Sequence, residues 1–166
     1  MSQPVPVVYD VNVLVGAAAA GGNRPFRSWP SPPPTSGNPF ADCLGIVVDA
    51  AEFGLWLSPR ILDNTARVLA EALKWAARDI ERFVGLLVEI ADHSRGGVVD
   101  PPATIGDCAD WEDNRILDPA VEIGALFIVS DDWDLTPMSP WRGTPTLRPR
   151  EFVAKVDGMR RHRRRR

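Results

Sequence analysis

The feature of the chain that most constrains its fold is an apolar run at residues 7–15, which is interrupted by one acid, Asp10. Continuous runs of apolar and β-branched residues are typical of strands that are buried on both faces of a parallel sheet. A carboxylate is costly to bury without a compensating partner, so Asp10 is predicted to lie where this strand emerges at its carboxyl end. Turn chemistry does not explain an acid in these surroundings, which favours a functional role for it.

Two further groups of acids stand in comparable places along the chain. Asp110 and Asp113 belong to the start of a helix predicted over 110–123, and an apolar run at 125–130 leads directly into Asp132 and its neighbours. Because strands alternate with helices, we predict an α/β protein, a three-layer α/β/α sandwich with a central, mostly parallel sheet. The carboxyl ends of parallel strands meet at one edge of a sheet, so the three groups of acids should lie together there.

The remaining secondary structure is predicted from helical periodicity, capping residues and short apolar runs. Ser58 and Pro59, for example, supply an N-cap and a proline in the first helical position. Further helices are predicted at 41–54, 58–76, 79–92 and 149–156, and further strands at 55–57, 98–99 and 146–147. This order of elements supports the alternating arrangement of strands and helices.

The length of 166 residues fits one domain with a core of ordinary size, which we expect to span residues 1–157. Residues 17–39 are rich in Ala, Gly, Ser and Pro and are predicted to form an inserted flexible loop. Residues 158–166 are predicted to be a disordered, arginine-rich tail, since like charges repel. Six of the 19 basic residues lie in that tail, which leaves 13 bases against 22 acids in the body. Attraction of nucleic-acid phosphates and simple solubilisation are both consistent with such a tail.

The sequence also bears on cellular location. Its apolar runs are far shorter than the roughly 20 residues that a membrane-spanning helix needs. The chain starts without a basic segment followed by a long apolar stretch, which is the pattern of a secretory signal. We therefore expect a soluble, cytoplasmic protein that makes no membrane contact. The two cysteines form no CxxC pair and have no histidines grouped near them, so a zinc site is not predicted.

The grouped acids indicate a type of chemistry. Carboxylates within several ångströms of one another repel unless a cation lies between them. An all-oxygen set of ligands favours Mg²⁺ or Mn²⁺, and such an ion can activate a water and neutralise charge on a phosphoryl oxygen. The acids therefore predict a phosphodiesterase. Taken singly, Asp110 could serve only as a helix cap, Glu112 only as a first-turn acid, and Asp131 or Asp134 only as turn residues.

Three segments of the chain resemble the PIN domain, and in particular its bacterial toxin-like members similar to the VapC group. The segment VVYDVNVLV resembles the family's first motif, an apolar strand that ends in Asp-x-Asn. The segment DWEDNRILDPAVEIGALFIVSDDWDL resembles its most specific stretch, in which an Asp-x-x-Asp-Asn helix start leads through a helix and a strand to further acids. The segment TPTLRPREFVAKV resembles the short strand and helix start that follow. Order and spacing agree over most of the chain, apart from 17–39 and the tail.

This resemblance implies an activity and a set of partners. The implied activity is that of an endoribonuclease that depends on Mg²⁺ or Mn²⁺ and is the toxin component of a type II toxin–antitoxin system. The implied partners are an RNA substrate, a small antitoxin protein and a second copy of the chain in a homodimer. Single-stranded or looped RNA is the expected substrate, because its unstacked bases are accessible.

The resemblance also assigns three groups of residues by position: catalytic and metal-binding acids, further candidate ligands, and supporting polar residues. The first group is Asp10, Asp113 and Asp132, the second is Asp110 and Asp134, and the third is Asn12, Asn64 and Ser130. Asn64 departs from the family pattern, which usually has a glutamate at its place. An amide binds a metal through its oxygen but brings no charge, so the cation should be held more weakly than by a full acidic set.

Other functions remain open at this point. Because of Asn64, the chain could be a catalytically weakened or inactive PIN-fold interaction module. It could also be a phosphoryl-transfer domain of another three-layer α/β family, such as a response-regulator receiver or a haloacid-dehalogenase-type phosphatase. That phosphatase class requires Asp-x-Asp, and Asn12 does not supply the second acid. Trp111 and Trp133 stand beside the candidate acids and could either stack RNA bases or pack at the rim of the site.

Overall fold

A computed structural model describes residues 2–20 and 37–166 of the chain. Five strands form one sheet in the order β3-β2-β1-β4-β5, and every neighbouring pair is parallel. The strands are β1 (Val5–Tyr9), β2 (Phe53–Leu57), β3 (Gly97–Val98), β4 (Phe127–Val129) and β5 (Thr146–Leu147). The predicted three-layer α/β/α fold with a central parallel sheet is confirmed.

Six α-helices connect and cover the strands within the described residues. They are α1 (Val11–Ala19), α2 (Pro39–Val48), α3 (Pro59–Glu71), α4 (Ala77–His93), α5 (Trp111–Glu122) and α6 (Pro149–Arg164), with a short 3₁₀ helix at Thr136–Met138. Among them, α4 packs on β2 and α5 packs on β1. None of the helices in the part of the chain described by the structure is both long and apolar enough to cross a bilayer.

The core is built around the central strand β1. Val7, Val8 and Tyr9 are completely buried, as expected for a strand that has both faces covered. The Tyr9 hydroxyl donates a hydrogen bond of 2.6 Å to the carbonyl oxygen of Cys43 in α2. The Tyr9 ring also meets the Phe152 ring of α6 edge-on, with 5.9 Å between the ring centroids. These contacts fix the end of β1 from which the next residue, Asp10, projects.

The apolar run at 7–15 does not form a single strand, contrary to the prediction. β1 ends at Tyr9, and Asp10 caps α1 by accepting a hydrogen bond from the Val11 amide at 2.6 Å. The residues after the cap are apolar because α1 is itself buried, with Val13 and Leu14 fully enclosed. A buried helix and a buried strand share this composition, so the run alone could not distinguish them. The predicted place of Asp10, at the carboxyl end of the strand, is confirmed.

The predicted loop at 17–39 is wrong at both ends. Residues 17–19 complete α1, and α2 begins at Pro39. The Asn38 side chain caps α2 by accepting hydrogen bonds from two backbone amides, at 3.0 and 3.2 Å. Residues 21–36 of the predicted loop lie outside the described residues. Among the other predicted boundaries, α2 ends at 48 rather than 54, because 53–57 form β2, and α3 ends at 71 rather than 76.

The arginine-rich end of the chain is helical, so the prediction that residues 158–166 are disordered is wrong. α6 continues to Arg164 instead of ending at 156. The Arg160 guanidinium forms ion pairs with Asp49 at 3.0 Å and with Glu52 at 2.9 Å, and these anchor the second half of the helix. Basic side chains in the last turn also interact favourably with the negative end of the helix dipole. Asp49 and Glu52, which are distant in the sequence, therefore offset the repulsion among the arginines at the end of α6.

Candidate metal centre

Three acids from distant parts of the sequence meet at the carboxyl edge of the sheet. Asp10 follows β1, Asp132 follows the neighbouring strand β4, and Asp113 lies in the first turn of α5, which packs on β1. Each of the three offers a carboxylate oxygen, and these oxygens lie within 4.8 Å of one another. The structure thus brings together the three acids that the sequence singled out.

Hydrogen bonds fix the orientation of the Asp10 carboxylate. Its Oδ1 accepts from the Val11 amide, and its Oδ2 accepts from the Ser130 hydroxyl at 2.6 Å and from the Asn12 amide nitrogen at 3.2 Å. The Asp10 residue is only 6% exposed. A buried carboxylate with this many donors is held in one rotamer, so the direction of its free lone pairs is fixed. Asn12 and Ser130, which the sequence predicted as supporting residues, therefore both contact Asp10.

The same two polar residues shape the loop after β4. The Ser130 oxygen accepts a hydrogen bond from the Asp132 amide at 3.0 Å, and the Asn12 side-chain oxygen accepts from the Asp131 amide at 3.2 Å. The Asp134 amide then donates to the Asp132 carboxylate at 2.7 Å. One network thus sets the place of Asp132 relative to Asp10, although the two acids are far apart in the sequence.

The start of α5 brings in the third acid and a second group of carboxylates. Asp110 is the N-cap and accepts a hydrogen bond from the Glu112 amide at 2.8 Å. Asp113 is buried and accepts a bond from the Cys108 thiol at 3.6 Å. Carboxylate oxygens of Asp110, Asp113 and Asp134 also lie within 4.8 Å of one another, so Asp113 belongs to both groups. The cap role of Asp110 and a place beside the site are therefore compatible.

Crowding and burial raise the pKa of two of the central carboxyl groups, those of Asp10 and Asp113. The pKa of Asp10 is raised from 3.8 to about 6, mainly by burial and also by the nearby charge of Asp132, and the hydrogen bonds from Ser130 and Val11 oppose this rise. The pKa of Asp113 is likewise raised from 3.8 to about 7 by burial together with repulsion from Asp132, Asp10 and Asp110. A divalent cation between these groups would stabilise their charged forms, which is the electrostatic setting expected of a metal site.

The acids form one wall of a cavity of about 450 Å³. Arg60 and Arg67 of α3 lie on another part of the lining, together with Asn64 and Glu112. Carboxylates that can hold a cation and guanidinium groups of a kind that can bind phosphate thus line the same cavity. This arrangement suits a ligand that carries phosphate groups.

Asn64 contacts an acidic residue in the lining of this cavity. Its side-chain nitrogen donates a hydrogen bond of 2.7 Å to Glu112, which also forms an ion pair with Arg60. Burial would raise the pKa of Glu112, but the bonds from Arg60 and Asn64 outweigh burial and hold it below its usual value. A negative charge therefore lies next to the position where the sequence lacks one. Glu112 was interpreted from the sequence only as a first-turn acid, because its contact with Asn64 spans 48 residues of chain.

The fold and the site together define a class of protein. A parallel three-layer α/β sheet that gathers carboxylates at its carboxyl edge, beside a cavity that arginine side chains also line, is a framework that suits a hydrolase. The family model described as PIN domain matches residues 6–134, and the chain therefore belongs to the PIN-domain family. PIN domains are generally nucleases and typically bind a divalent metal. No curated protein sequence matches this chain closely enough to be counted as a relative.

Proposed function

We propose that the protein is an endoribonuclease that depends on Mg²⁺ or Mn²⁺ and hydrolyses RNA phosphodiester bonds. The observation that carries this proposal is the meeting of the Asp10, Asp113 and Asp132 carboxylate oxygens within 4.8 Å of one another. These three residues would hold the cation, and Asp110 and Asp134 would contribute from its outer side. A divalent cation bound there supplies a water of lowered pKa and neutralises charge that develops on the phosphoryl oxygens.

The surrounding residues would position the reacting groups. Ser130 and Asn12 keep the Asp10 carboxylate in a single orientation by donating to the same oxygen. Arg60 and Arg67 also line the cavity, and a phosphate of the substrate would bind beside their guanidinium groups in competition with Glu112 and Glu71, which now pair with them. Such preorganised charges stabilise a phosphoryl transition state without further rearrangement.

Cleavage of RNA by the purified protein tests this proposal. With Mg²⁺ or Mn²⁺ the protein should cut a structured RNA that contains single-stranded loops, and EDTA should stop the reaction. Asp10→Asn should abolish cleavage while circular dichroism and thermal unfolding show a folded protein. Asp92→Asn is the matched control, because Asp92 is an exposed acid in the last turn of α4, outside the cavity lining. Equal rates for Asp10→Asn and the unsubstituted protein would refute the nuclease assignment.

We further propose that the protein is the toxin component of a type II toxin–antitoxin system and acts on RNA in the cytoplasm. The resemblance of its sequence segments to VapC-like proteins supports this role, together with a small antitoxin partner and a homodimer. Expression of the protein should arrest bacterial growth, and Asp10→Asn should relieve the arrest. Light scattering of the purified protein should give twice the chain mass of 18.2 kDa. Unimpaired growth at normal expression would contradict the toxin role.

A second candidate function is that of a PIN-fold interaction module with weakened or absent catalysis. Asn64 favours it, because the amide at this position contributes no charge and is already engaged with Glu112. Calorimetric titration separates the two functions: a nuclease site should bind Mg²⁺ or Mn²⁺ saturably at millimolar concentration, and a degenerate site should not. Asn64→Glu combined with Glu112→Gln moves the charge from one residue to its neighbour, and should leave metal binding unchanged if Glu112 compensates for Asn64.

A further inference from the structure

Two tryptophans that stand next to the site acids are unusually exposed. Trp111 is 54% exposed and Trp133 is 74% exposed. Trp111 follows Asp110 directly in the sequence, and Trp133 lies between Asp132 and Asp134. Large aromatic side chains contribute strongly to interfaces, so exposed rings beside a charged site are candidates for contact with a ligand. The core does not account for either ring.

The two rings lie on opposite sides of the three clustered acids. Trp111 lines a surface pocket together with Ser58, which follows β2, and Asp100, which follows β3. Trp133 lies against Arg148, which follows β5 at the other end of the sheet. From β2 to β5 the sheet crosses three strand spacings, about 14 Å. At about 3.4 Å per stacked nucleotide, that distance corresponds to roughly four nucleotides of a single strand.

Arginine side chains lie close to both rings, one at Trp133 and two at Trp111. The Arg148 guanidinium is 4.4 Å from the centroid of the Trp133 ring. The buried Arg115 guanidinium is 4.6 Å from the Trp111 ring, and the more exposed Arg60 is 4.8 Å from it. Cation–π contacts of this kind hold a ring in place and add positive charge beside it. A guanidinium plane can itself continue a stack of bases.

We propose that Trp111 and Trp133 are platforms on which unpaired bases of a single-stranded nucleic acid stack, one on each side of the phosphate at the metal centre. The inference rests on the proposed nuclease function and specifies how the substrate is held. Every base has a π-face, so this mode of binding recognises unpaired bases with little preference for sequence. The two flanking bases would leave the backbone between them over the acids. A strand too short to reach both platforms would lose one of the two stacking contacts.

The test is binding of a fluorescein-labelled uridine hexamer, measured by anisotropy with Mg²⁺ in the Asp10→Asn background, where cleavage is removed. Trp111→Ala and Trp133→Ala should each weaken binding about tenfold, because that is the typical effect of losing one base–aromatic stack. Trp111→Phe and Trp133→Phe keep an aromatic face and should retain most of the affinity. A hexamer of the same charge without bases should bind all of these variants equally.

Leu126→Ala is the matched control, because Leu126 is 54% exposed and precedes β4, at the opposite edge of the sheet. It should leave hexamer binding unchanged. The proposal is overturned if both alanine variants bind the uridine hexamer as tightly as their parent, or if the base-free strand binds as tightly as the complete one. A parallel titration with a deoxyuridine hexamer shows whether RNA or DNA supplies the bases. Binding is measured without cleavage, so loss of stacking and failure of the nuclease function are distinguishable.

Discussion

The substitution Asp10→Asn should stabilise the metal-free protein at neutral pH while it abolishes RNA cleavage. Asp10 is 6% exposed, and burial is the main cause that raises its pKa from 3.8 to about 6. The charged carboxylate is therefore less favourable in the folded protein than in the unfolded chain. An amide of nearly the same shape carries no charge and avoids this cost. The substitution also removes one of the charges that raise the pKa of Asp113. Removal of this repulsion stabilises the folded protein as well.

The size of the effect follows from the linkage between proton binding and folding. The pKa of Asp10 is higher in the folded protein than in the unfolded chain. Its stabilising contribution to the free energy of unfolding is therefore fully present below pH 3.8 and is lost as the pH rises through about 6. A shift of about 2 pH units corresponds to about 3 kcal/mol, most of which is lost between pH 4 and pH 8. The new amide nitrogen would face the donors of Ser130 and Asn12 at a cost of about 1 kcal/mol. That cost does not depend on pH.

Urea unfolding in EDTA, followed by tryptophan fluorescence at pH 4 and pH 8, measures this contribution. Between these pH values the unsubstituted protein should lose about 2 kcal/mol more stability than Asp10→Asn, which is about 1 M in the urea midpoint. Asp92→Asn should follow the unsubstituted protein. Added Mg²⁺ at pH 8 should stabilise the unsubstituted protein more than Asp10→Asn. If Asp10→Asn shows the same pH dependence as the unsubstituted protein, the charge of Asp10 is not disfavoured by folding and the reasoning is wrong.

Three further predictions address the supporting structure. Ser130→Ala removes the buried hydroxyl that donates to Asp10 and accepts from the Asp132 amide, so cleavage should fall at least about tenfold in initial-rate assays, with a loss of about 1 kcal/mol in stability. Arg160→Ala leaves two acids without their shared partner and should cost about 2 kcal/mol, a fall of several degrees in thermal midpoint, whereas Arg166→Ala at the exposed end should change nothing. Gly96→Ala would place a Cβ 1.9 Å from a backbone oxygen of β2, so we expect a loss of more than about 3 kcal/mol by urea unfolding.

The parts of the site that follow strand ends could be predicted from the sequence. The position of Asp10 followed from the cost of burying a charge in an apolar run, and the parallel sheet then placed Asp132 at the same edge. The change from strand to helix after Tyr9 could not be predicted in this way, because α1 is as apolar as the strand before it. The sequence feature that marks this change is Asp10, which caps α1 and also belongs to the candidate site.

The remaining differences come from partners that are distant in the sequence. The contact between Asn64 and Glu112 joins two helices, and neither residue has a local pattern that indicates the other. The helical end of α6 depends on Asp49 and Glu52, which precede β2. Periodicity and capping describe a segment by itself, whereas these contacts depend on how the segments pack.

The path of α6 decides where the arginine-rich end can act. α6 begins directly after β5, at the carboxyl edge of the sheet, and its 16 residues extend for about 24 Å. Arg160 then binds Glu52, whose carbonyl oxygen accepts a hydrogen bond from Val5 at the start of β1. The exposed arginines that follow therefore lie toward the amino edge, opposite the acids. Arg60, Arg67 and Arg115 line the cavity beside the acids, so a phosphate bound at the proposed site would meet these guanidinium groups, and the terminal arginines would contact only more distant parts of a long nucleic acid.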